Sequence, residues 1–106
     1  MKPIRFHKYV EECLGTIDIF TKSKIAEALA LIASGASIGM PLSRPMPSIE
    51  NGVHELRIRN SAGIFRIFYY VKTPDAILIF HMFQKKTQKT PQKEIRIAQK
   101  RLRELL

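Results

Sequence analysis

Three short segments between residues 53 and 86 alternate apolar and polar side chains with a period of two. They are VHELRIR (53–59), IFRIFYYV (64–71) and AILIFHMFQKK (76–86). Successive side chains of a strand point to opposite faces of a sheet, so this alternation in β-branched and aromatic residues predicts strands covered on one side. Turn-forming stretches at 60–63 and 72–75 separate the segments. The pattern therefore predicts a three-stranded antiparallel meander over residues 53–86.

The expected register of this meander gathers basic side chains on one face. If four-residue loops close both hairpins, Arg57 faces Arg66, and Arg66 in turn faces His81. Leu78 and Phe80 then belong to the opposite, apolar face. Two arginines directly across a strand pair destabilise each other. A fold tolerates such a row most readily if an anion binds there, so we expect an open anion site on this face.

The rest of the chain predicts helices around this sheet. A helical stripe of apolar residues runs from Phe20 to Ser34 after a brief helical stretch, and a short N-terminal edge strand is a candidate at residues 4–6. Residues 35–52 are dense in Gly, Pro and Ser, which predicts a long loop. Thr90-Pro91 offers an N-cap and a first helical position for a C-terminal helix. We expect one α+β domain over residues 1–106, with its helices packed on the apolar face of the sheet.

The positive charge of the chain is confined to its second half. The formal net charge is +9. Residues 1–56 carry equal numbers of basic and acidic residues, whereas residues 57–106 carry the whole excess. A one-sided basic surface is typical of a protein that binds a polyanion, usually nucleic acid. The alternative is a basic surface that serves solvation only.

Several other classes are disfavoured by the sequence. Cys13 is the single cysteine, so no intrachain disulfide can form, and no apolar run approaches the roughly 20 residues of a membrane span. His7, His54 and His81 are scattered without zinc-ligand spacing. Acidic residues are nearly absent from the predicted sheet, which argues against two-metal nucleases and glycosidases. We expect a cytoplasmic protein that needs no metal and no cofactor.

The basic face of the predicted sheet suits single-stranded RNA. Arginines neutralise phosphates, and exposed aromatic rings stack on unpaired bases. The same mixture can support metal-free cleavage, in which a base takes a proton from a ribose 2′-OH and cations stabilise the attacked phosphate. His81 is the side chain best matched to proton transfer near neutral pH, and the facing Arg66 is expected to lower its pKa and favour the neutral form. A lone histidine is also a common half-buried strand residue. The candidates on and beside this face are Arg57, Arg59, Arg66, Phe68, Tyr70, His81, Phe83, Lys85, Lys86 and Lys89.

Three stretches of the sequence resemble the HigB-like, phage-derived branch of the RelE/ParE toxin superfamily. They are the strand Glu55-Leu56-Arg57-Ile58-Arg59, the strand Gly63-Ile64-Phe65-Arg66-Ile67-Phe68-Tyr69, and the run Phe83-Gln84-Lys85-Lys86-Thr87-Gln88-Lys89-Thr90-Pro91, which Glu94 and a basic helix follow. The resemblance implies a RelE-like fold and the toxin half of a type II toxin–antitoxin pair. It also implies a metal-independent endoribonuclease that cuts mRNA, typically on the ribosome. The implied partner is a small helix-turn-helix antitoxin, whose complex with the toxin can bind operator DNA.

The resemblance also assigns roles to residues. Basic residues that bind the scissile phosphate in that superfamily map to Arg57, Arg59 and Arg66, and a basic or imidazole residue on the next strand maps to His81, with Lys85 and Lys86 just beyond. Of these we expect Arg57, Arg66, His81 and Lys85 to be catalytic. Arg59, Tyr70, Phe83, Lys86 and Lys89 are the expected RNA-binding residues. Better-studied branches often place a functional tyrosine near the C-terminus, whereas this chain ends in IAQKRLRELL. His81, Lys85 and Tyr70 therefore remain alternative proton-transfer groups. The rival interpretation is a non-catalytic module that binds nucleic acid or a partner without cutting.

Overall fold

A five-stranded sheet with helices on both faces makes up the part of the chain that the computed structural model describes. That part is residues 2–36, 38–39, 42–85 and 89–106, with only the backbone of Lys85. The sheet has the strand order β1-β5-β4-β3-β2. The elements in chain order are β1 (Ile4–Phe6), α1 (Lys8–Leu14), α2 (Ile19–Ala33), β2 (Ser43–Pro45), β3 (Val53–Asn60), β4 (Gly63–Tyr70), β5 (Ile77–Lys85) and α3 (Gln92–Leu105).

The predicted α+β class and the three-stranded meander are confirmed, and two short strands extend the sheet. The N-terminal edge strand forms as β1, but it pairs with β5 in parallel, so the sheet is mixed rather than purely antiparallel. Residues 43–45, which the sequence placed in a loop, pair with β3 as β2. A three-residue strand that ends in proline carries too little alternation to be read from the sequence.

Local sequence signals explain where the helices begin and end. Asp18 caps α2, because its carboxylate accepts a hydrogen bond from the backbone N–H of Thr21 at 3.0 Å. Gly35 follows the helix with a φ of 92°, a left-handed conformation that favours glycine. The N-cap of α3 is Pro91 rather than the predicted Thr90. The Thr90 hydroxyl instead donates to the buried carboxylate of Glu55 at 3.3 Å.

The predicted register is correct for one hairpin and wrong for the other. Arg57 pairs with Arg66 across β3 and β4, as expected. Between β4 and β5, however, Arg66 pairs with Phe83, and His81 pairs with Phe68. Two changes add up to this shift of two residues: the turn already pairs Tyr69 with Ile79 rather than with the predicted Leu78, and a β-bulge then places one extra residue of β5 opposite β4. Phe80 is that residue, since its neighbours on β5 pair with consecutive residues of β4.

The one-residue shift at the turn reverses the faces that the sequence predicted for the first half of β5, and the bulge restores the predicted faces from His81 onward. Ile77 and Ile79 join the core beneath α1 and α2, whereas Leu78 and Phe80 join a second core beneath α3. The C-terminal helix therefore packs on the face that was predicted to be open and basic, against Phe68 and its neighbours. Both faces of the sheet are covered, and the prediction of helices on one face only was wrong.

Candidate nucleic-acid interface

The predicted site residues differ widely in exposure. Arg59 is exposed on β3 and Arg57 is half-buried. Arg66 and His81 are only 2% and 3% exposed, so the predicted open row is closed at two of its three positions. Tyr70 and Phe83 are partly buried at the edge of the core beneath α3, and Lys89 is exposed. The side chain of Lys85 and the whole of Lys86 lie outside the described residues.

Four arginines and one glutamate form a cluster across β2, β3 and β4. The members of this arginine cluster are Arg44, Arg57, Arg59, Arg66 and Glu55. Glu55 is fully buried, and its Oε1 accepts hydrogen bonds from Arg66 Nη1 at 2.9 Å and from Arg44 Nε at 3.2 Å. A single carboxylate thus stands against four guanidinium groups. The cluster carries an excess of positive charge that one anionic ligand could offset.

The electrostatic cost of this excess appears at Arg57. Partial burial lowers the pKa of its guanidinium, and repulsion from Arg66, Arg44 and Arg59 lowers that pKa further. The Glu55 carboxylate acts in the opposite direction but does not reverse the effect. Arginine stays protonated at neutral pH even so. Arg57 is therefore the charged group in the cluster that would gain most from a nearby phosphate.

Arg66 adds an unpaired buried donor to the cluster. Its Nε has no hydrogen-bond partner among the described residues and is shielded from solvent. A buried donor left in this way costs about 1–3 kcal/mol of folding stability. The Arg66 side chain is accordingly held by the ion pair with Glu55 on one side only.

His81 lies in a second polar group, whose charges are balanced. This histidine cluster consists of His81, Glu94 and Arg101. Both ring nitrogens of His81 are engaged by α3: Nε2 is 2.7 Å from Glu94 Oε1, and Nδ1 is 2.7 Å from a terminal guanidinium nitrogen of Arg101. A guanidinium can only donate, so Nδ1 accepts and the ring proton resides on Nε2, where it is donated to Glu94. In this arrangement His81 is neutral and has no free nitrogen for a substrate.

The pKa of His81 is lowered, but not for the predicted reason. Burial contributes most to this lowering, and the Arg101 guanidinium adds to it, while the hydrogen bond to Glu94 opposes it. The sequence had assigned the effect to Arg66, which pairs with Phe83 instead. The ring of His81 lies between those of Phe68 and Phe83, at centroid distances of 5.7 and 5.4 Å.

Helix α3 is fastened over this cluster by further polar contacts. Glu104 Oε1 lies 2.7 Å from Nε2 of the buried His7 at the N-terminus of α1. The Arg101 guanidinium also stacks on the ring of Tyr9, 4.6 Å from its centroid. Gln99 donates to the backbone carbonyl of Ser48 at 3.2 Å. These contacts hold α3 in the position that covers His81.

Sequence reasoning missed most of the partners that decide these two clusters. Arg44 stood in a Pro- and Ser-rich loop with no strand signal, and Arg101 was one of several basic residues on an amphipathic helix. Glu55 did give a signal, because it is the one acidic residue in the three predicted strands. An isolated acid among arginines on one face is a sequence mark of a buried ion pair.

In the ranges that the structure describes, no three His, Cys, Asp or Glu side chains come together as metal ligands would. Within those same ranges, none of the helices combines the length and apolar character needed to cross a bilayer.

Comparison with known families places the chain. A model of the phage-derived, Gp49-like family (DUF891) matches residues 12–103, which is most of the sequence. No curated protein matches the chain significantly. The matched range includes the sheet strands β2 to β5, α2 and nearly all of α3. The chain therefore belongs to the Gp49-like family of phage-derived proteins, a family of the RelE toxin–antitoxin kind for which an antitoxin is the implied partner.

Proposed function

We propose that this protein is the toxin of a type II toxin–antitoxin pair and a metal-independent endoribonuclease of the HigB-like branch. Its substrate would be mRNA, cut on the translating ribosome in the cytoplasm. Its partner would be a small helix-turn-helix antitoxin, whose complex with the toxin could bind operator DNA. Membership of a family of the toxin–antitoxin kind supports the toxin role, and the arginine cluster supports RNA as the target.

The observation that carries the proposal is the charge excess around Arg57. Four guanidinium groups share one carboxylate, and the pKa of Arg57 is lowered by the other three. A phosphate diester would relieve this repulsion, and the planar fork of arginine matches phosphate oxygens. Arg59, exposed on the same strand, could bind the adjacent phosphate of a single strand.

The proposed reaction needs a proton acceptor, a proton donor and cationic stabilisation. The acceptor takes the proton of a ribose 2′-OH, whose oxygen attacks the adjacent phosphorus. The bond from phosphorus to the 5′-oxygen breaks, and that oxygen receives a proton, which leaves a cyclic phosphate and a 5′-hydroxyl. Arg57 and Arg66 would stabilise the charge on the phosphate. His81, Lys85 and Tyr70 remain the alternatives for proton transfer, while Phe83, Lys86 and Lys89 would bind RNA.

In the folded protein, burial determines which of these residues RNA can contact. Arg57 can meet RNA as the protein stands, because its side chain is half-exposed. His81 can do so only if Glu94 and Arg101 of α3 release the imidazole, and Arg66 only if the groups that bury it move aside. We accordingly propose Arg57 as the primary phosphate ligand, and roles for Arg66 and His81 only in an opened state.

The test is induced expression with mapping of cellular RNA ends. We expect rapid growth arrest and new mRNA ends with the unaltered chain, and loss of both with Arg57→Ala. Arg5→Ala is the matched control, since Arg5 is an exposed arginine on β1 at the opposite edge of the sheet. Full toxicity of Arg57→Ala would remove this residue from the mechanism. Arg66→Ala is less useful, because it also disrupts the buried pair with Glu55.

A second candidate function is a non-catalytic module that binds nucleic acid or a partner. The observation in its favour is the engagement of both His81 nitrogens, which leaves the imidazole without a catalytic position. Normal growth and an unchanged set of RNA ends on induction, together with retained RNA binding in vitro, would favour the module over the enzyme.

A further inference from the structure

A groove lies between α2 and the edge of β3, at the margin of the core beneath α1 and α2. Its volume is about 440 Å³. The aliphatic side chains that line it belong to Ala28 and Leu31 of α2, to Leu42, and to Ile58 and Ile64 of the β3–β4 hairpin. Leu31 is 51% exposed, which is high for a leucine that borders a concave surface. The groove is therefore an accessible apolar surface rather than an internal cavity.

The groove exists because β2 is shorter than β3. β2 pairs only with residues 54–56, and the Arg57 N–H adds one further bond to the carbonyl of Leu42 at 2.8 Å. In the part of the chain that the structure describes, no strand flanks β3 beyond Arg57. Lys24 of α2 reaches across this gap and donates to the carbonyl of Arg59 at 3.1 Å. The strand edge and the helix thus form the two walls of the groove.

The charges at the rim are mostly positive. Lys24, Arg57 and Arg59 border the groove, and Glu27 is the one acidic residue among the described residues that line it. No aromatic ring is among the lining residues, so the groove lacks the stacking surface that unpaired bases use. An aliphatic floor with a cationic rim is instead complementary to a polypeptide segment that carries leucine-like and acidic side chains together.

We propose that this groove binds an acidic, aliphatic segment of the neutralising partner. The identity of the occupant as that partner rests on the proposed function, whereas the chemistry of the segment rests on the groove alone. Leucine-like side chains would pack on Leu31, Ile58 and Ile64, and carboxylates would pair with Arg57 and Arg59. The occupant would cover Arg57 without moving α3, and so would deny RNA its most accessible phosphate ligand.

The test measures binding with purified proteins, so that its result does not depend on RNA cleavage. The probe is the polypeptide encoded by the reading frame next to this one, titrated against this chain by calorimetry. Leu31→Glu places a carboxylate in the groove, removes an apolar anchor and repels acidic groups, and we expect binding to weaken about 30-fold. Glu27→Gln removes the acidic group from the rim, and we expect binding to tighten about two- to fivefold.

Phe20→Glu is the matched control for Leu31→Glu. Phe20 is an apolar residue of the same helix, 78% exposed and outside the groove lining, so its variant should bind like the unaltered chain. Thermal unfolding of all variants shows whether each is folded. Equal affinity of Leu31→Glu and Phe20→Glu, or no binding of the neighbouring polypeptide at all, would overturn the proposal.

RNA is the competing occupant, and a second titration addresses it. A single-stranded RNA oligonucleotide that binds the unaltered chain should bind Leu31→Glu with no more loss than charge reversal produces in Phe20→Glu. A selective loss of RNA affinity in Leu31→Glu would assign the groove to RNA and overturn the proposal. The proposed function is tested separately by growth arrest, so its failure would leave these binding results intact.

Discussion

The arginine cluster and the histidine cluster are each centred on buried polar groups, yet they differ in charge balance. In the histidine cluster, one carboxylate and one guanidinium satisfy both nitrogens of a neutral imidazole. In the arginine cluster, one carboxylate serves four guanidinium groups, and a buried Nε of Arg66 has no partner among the described residues. A structural role is sufficient to explain the balanced cluster, because its contacts attach α3 to the sheet. An unbalanced cluster would be relieved by a charge of the opposite sign from outside, which is the basis of the proposed phosphate site.

The largest effect on stability, and the sharpest test of this comparison, is expected at Glu55. Glu55→Gln keeps the shape of the side chain but leaves the buried Arg66 without a carboxylate. We expect the free energy of unfolding to fall by about 3–5 kcal/mol, because an uncompensated buried charge is costly. Urea unfolding checks this value. The control is Glu50→Gln, whose carboxylate is exposed and should contribute under 1 kcal/mol. Similar losses in both variants would contradict the central place of Glu55.

An intermediate effect is expected from pH at the histidine cluster. Burial and Arg101 lower the pKa of His81 in the folded protein, so the unfolded chain binds a proton more readily. Stability is then complete above the ordinary imidazole pKa of about 6.5 and is lost as the pH falls toward the lowered value. One such group changes the free energy of unfolding by at most about 1.4 kcal/mol per pH unit. Glu94 and Arg101 are the charged groups that contact the ring.

Urea unfolding at a series of pH values checks the dependence. His81→Gln should flatten the acidic limb of the stability profile. His54→Gln should flatten it less, since the pKa of the half-buried His54 is lowered by burial without a cationic neighbour. If the acidic limb were unchanged in His81→Gln, the assignment of His81 as a neutral imidazole with both ring nitrogens hydrogen-bonded would be wrong.

The smallest effect on stability is expected at Arg57, although the same substitution should weaken the binding of single-stranded RNA. Arg57→Ala relieves repulsion among the four arginines, so the free energy of unfolding should change by less than about 0.5 kcal/mol or rise. Affinity for single-stranded RNA should nevertheless fall, and the slope of log K against log salt should decrease by about 0.7. Fluorescence titrations at several salt concentrations measure this slope. Arg5→Ala, which preserves the cluster, should leave the slope nearly unchanged, and a loss equal to that of Arg57→Ala would point to nonspecific charge alone.

Part of the candidate site could be predicted because hairpin geometry is local. A short turn-forming stretch between two alternating segments determined the pairing of Arg57 with Arg66, and the structure confirms it. The confinement of positive charge to the second half of the chain is likewise a property of the sequence. The family match agrees with the resemblance at the level of the RelE toxin–antitoxin kind, while the HigB-like branch remains a proposal.

The placement of His81 could not be predicted, because it depends on the bulge at Phe80. Every residue from Ile77 to Phe83 except His81 is apolar, so either face assignment buries hydrophobic side chains on both sides of the strand. The apolar stripe of α3 does not specify a face of the sheet either, since it can pack on any exposed apolar face. Which face it covers is decided by contacts distant in sequence, such as those of Arg101 with His81 and Tyr9.

By itself the sequence determined the α+β class, the three long strands, the β3–β4 register and the basic half of the chain, since period and turn chemistry act over a few residues. The tertiary structure alone decided that Arg66 and His81 are buried, with α3 over His81, and that a short β2 leaves a groove beside Arg57. The physical reason is that burial and charge balance are sums over neighbours from separate elements. A local sequence pattern therefore does not specify burial or charge balance.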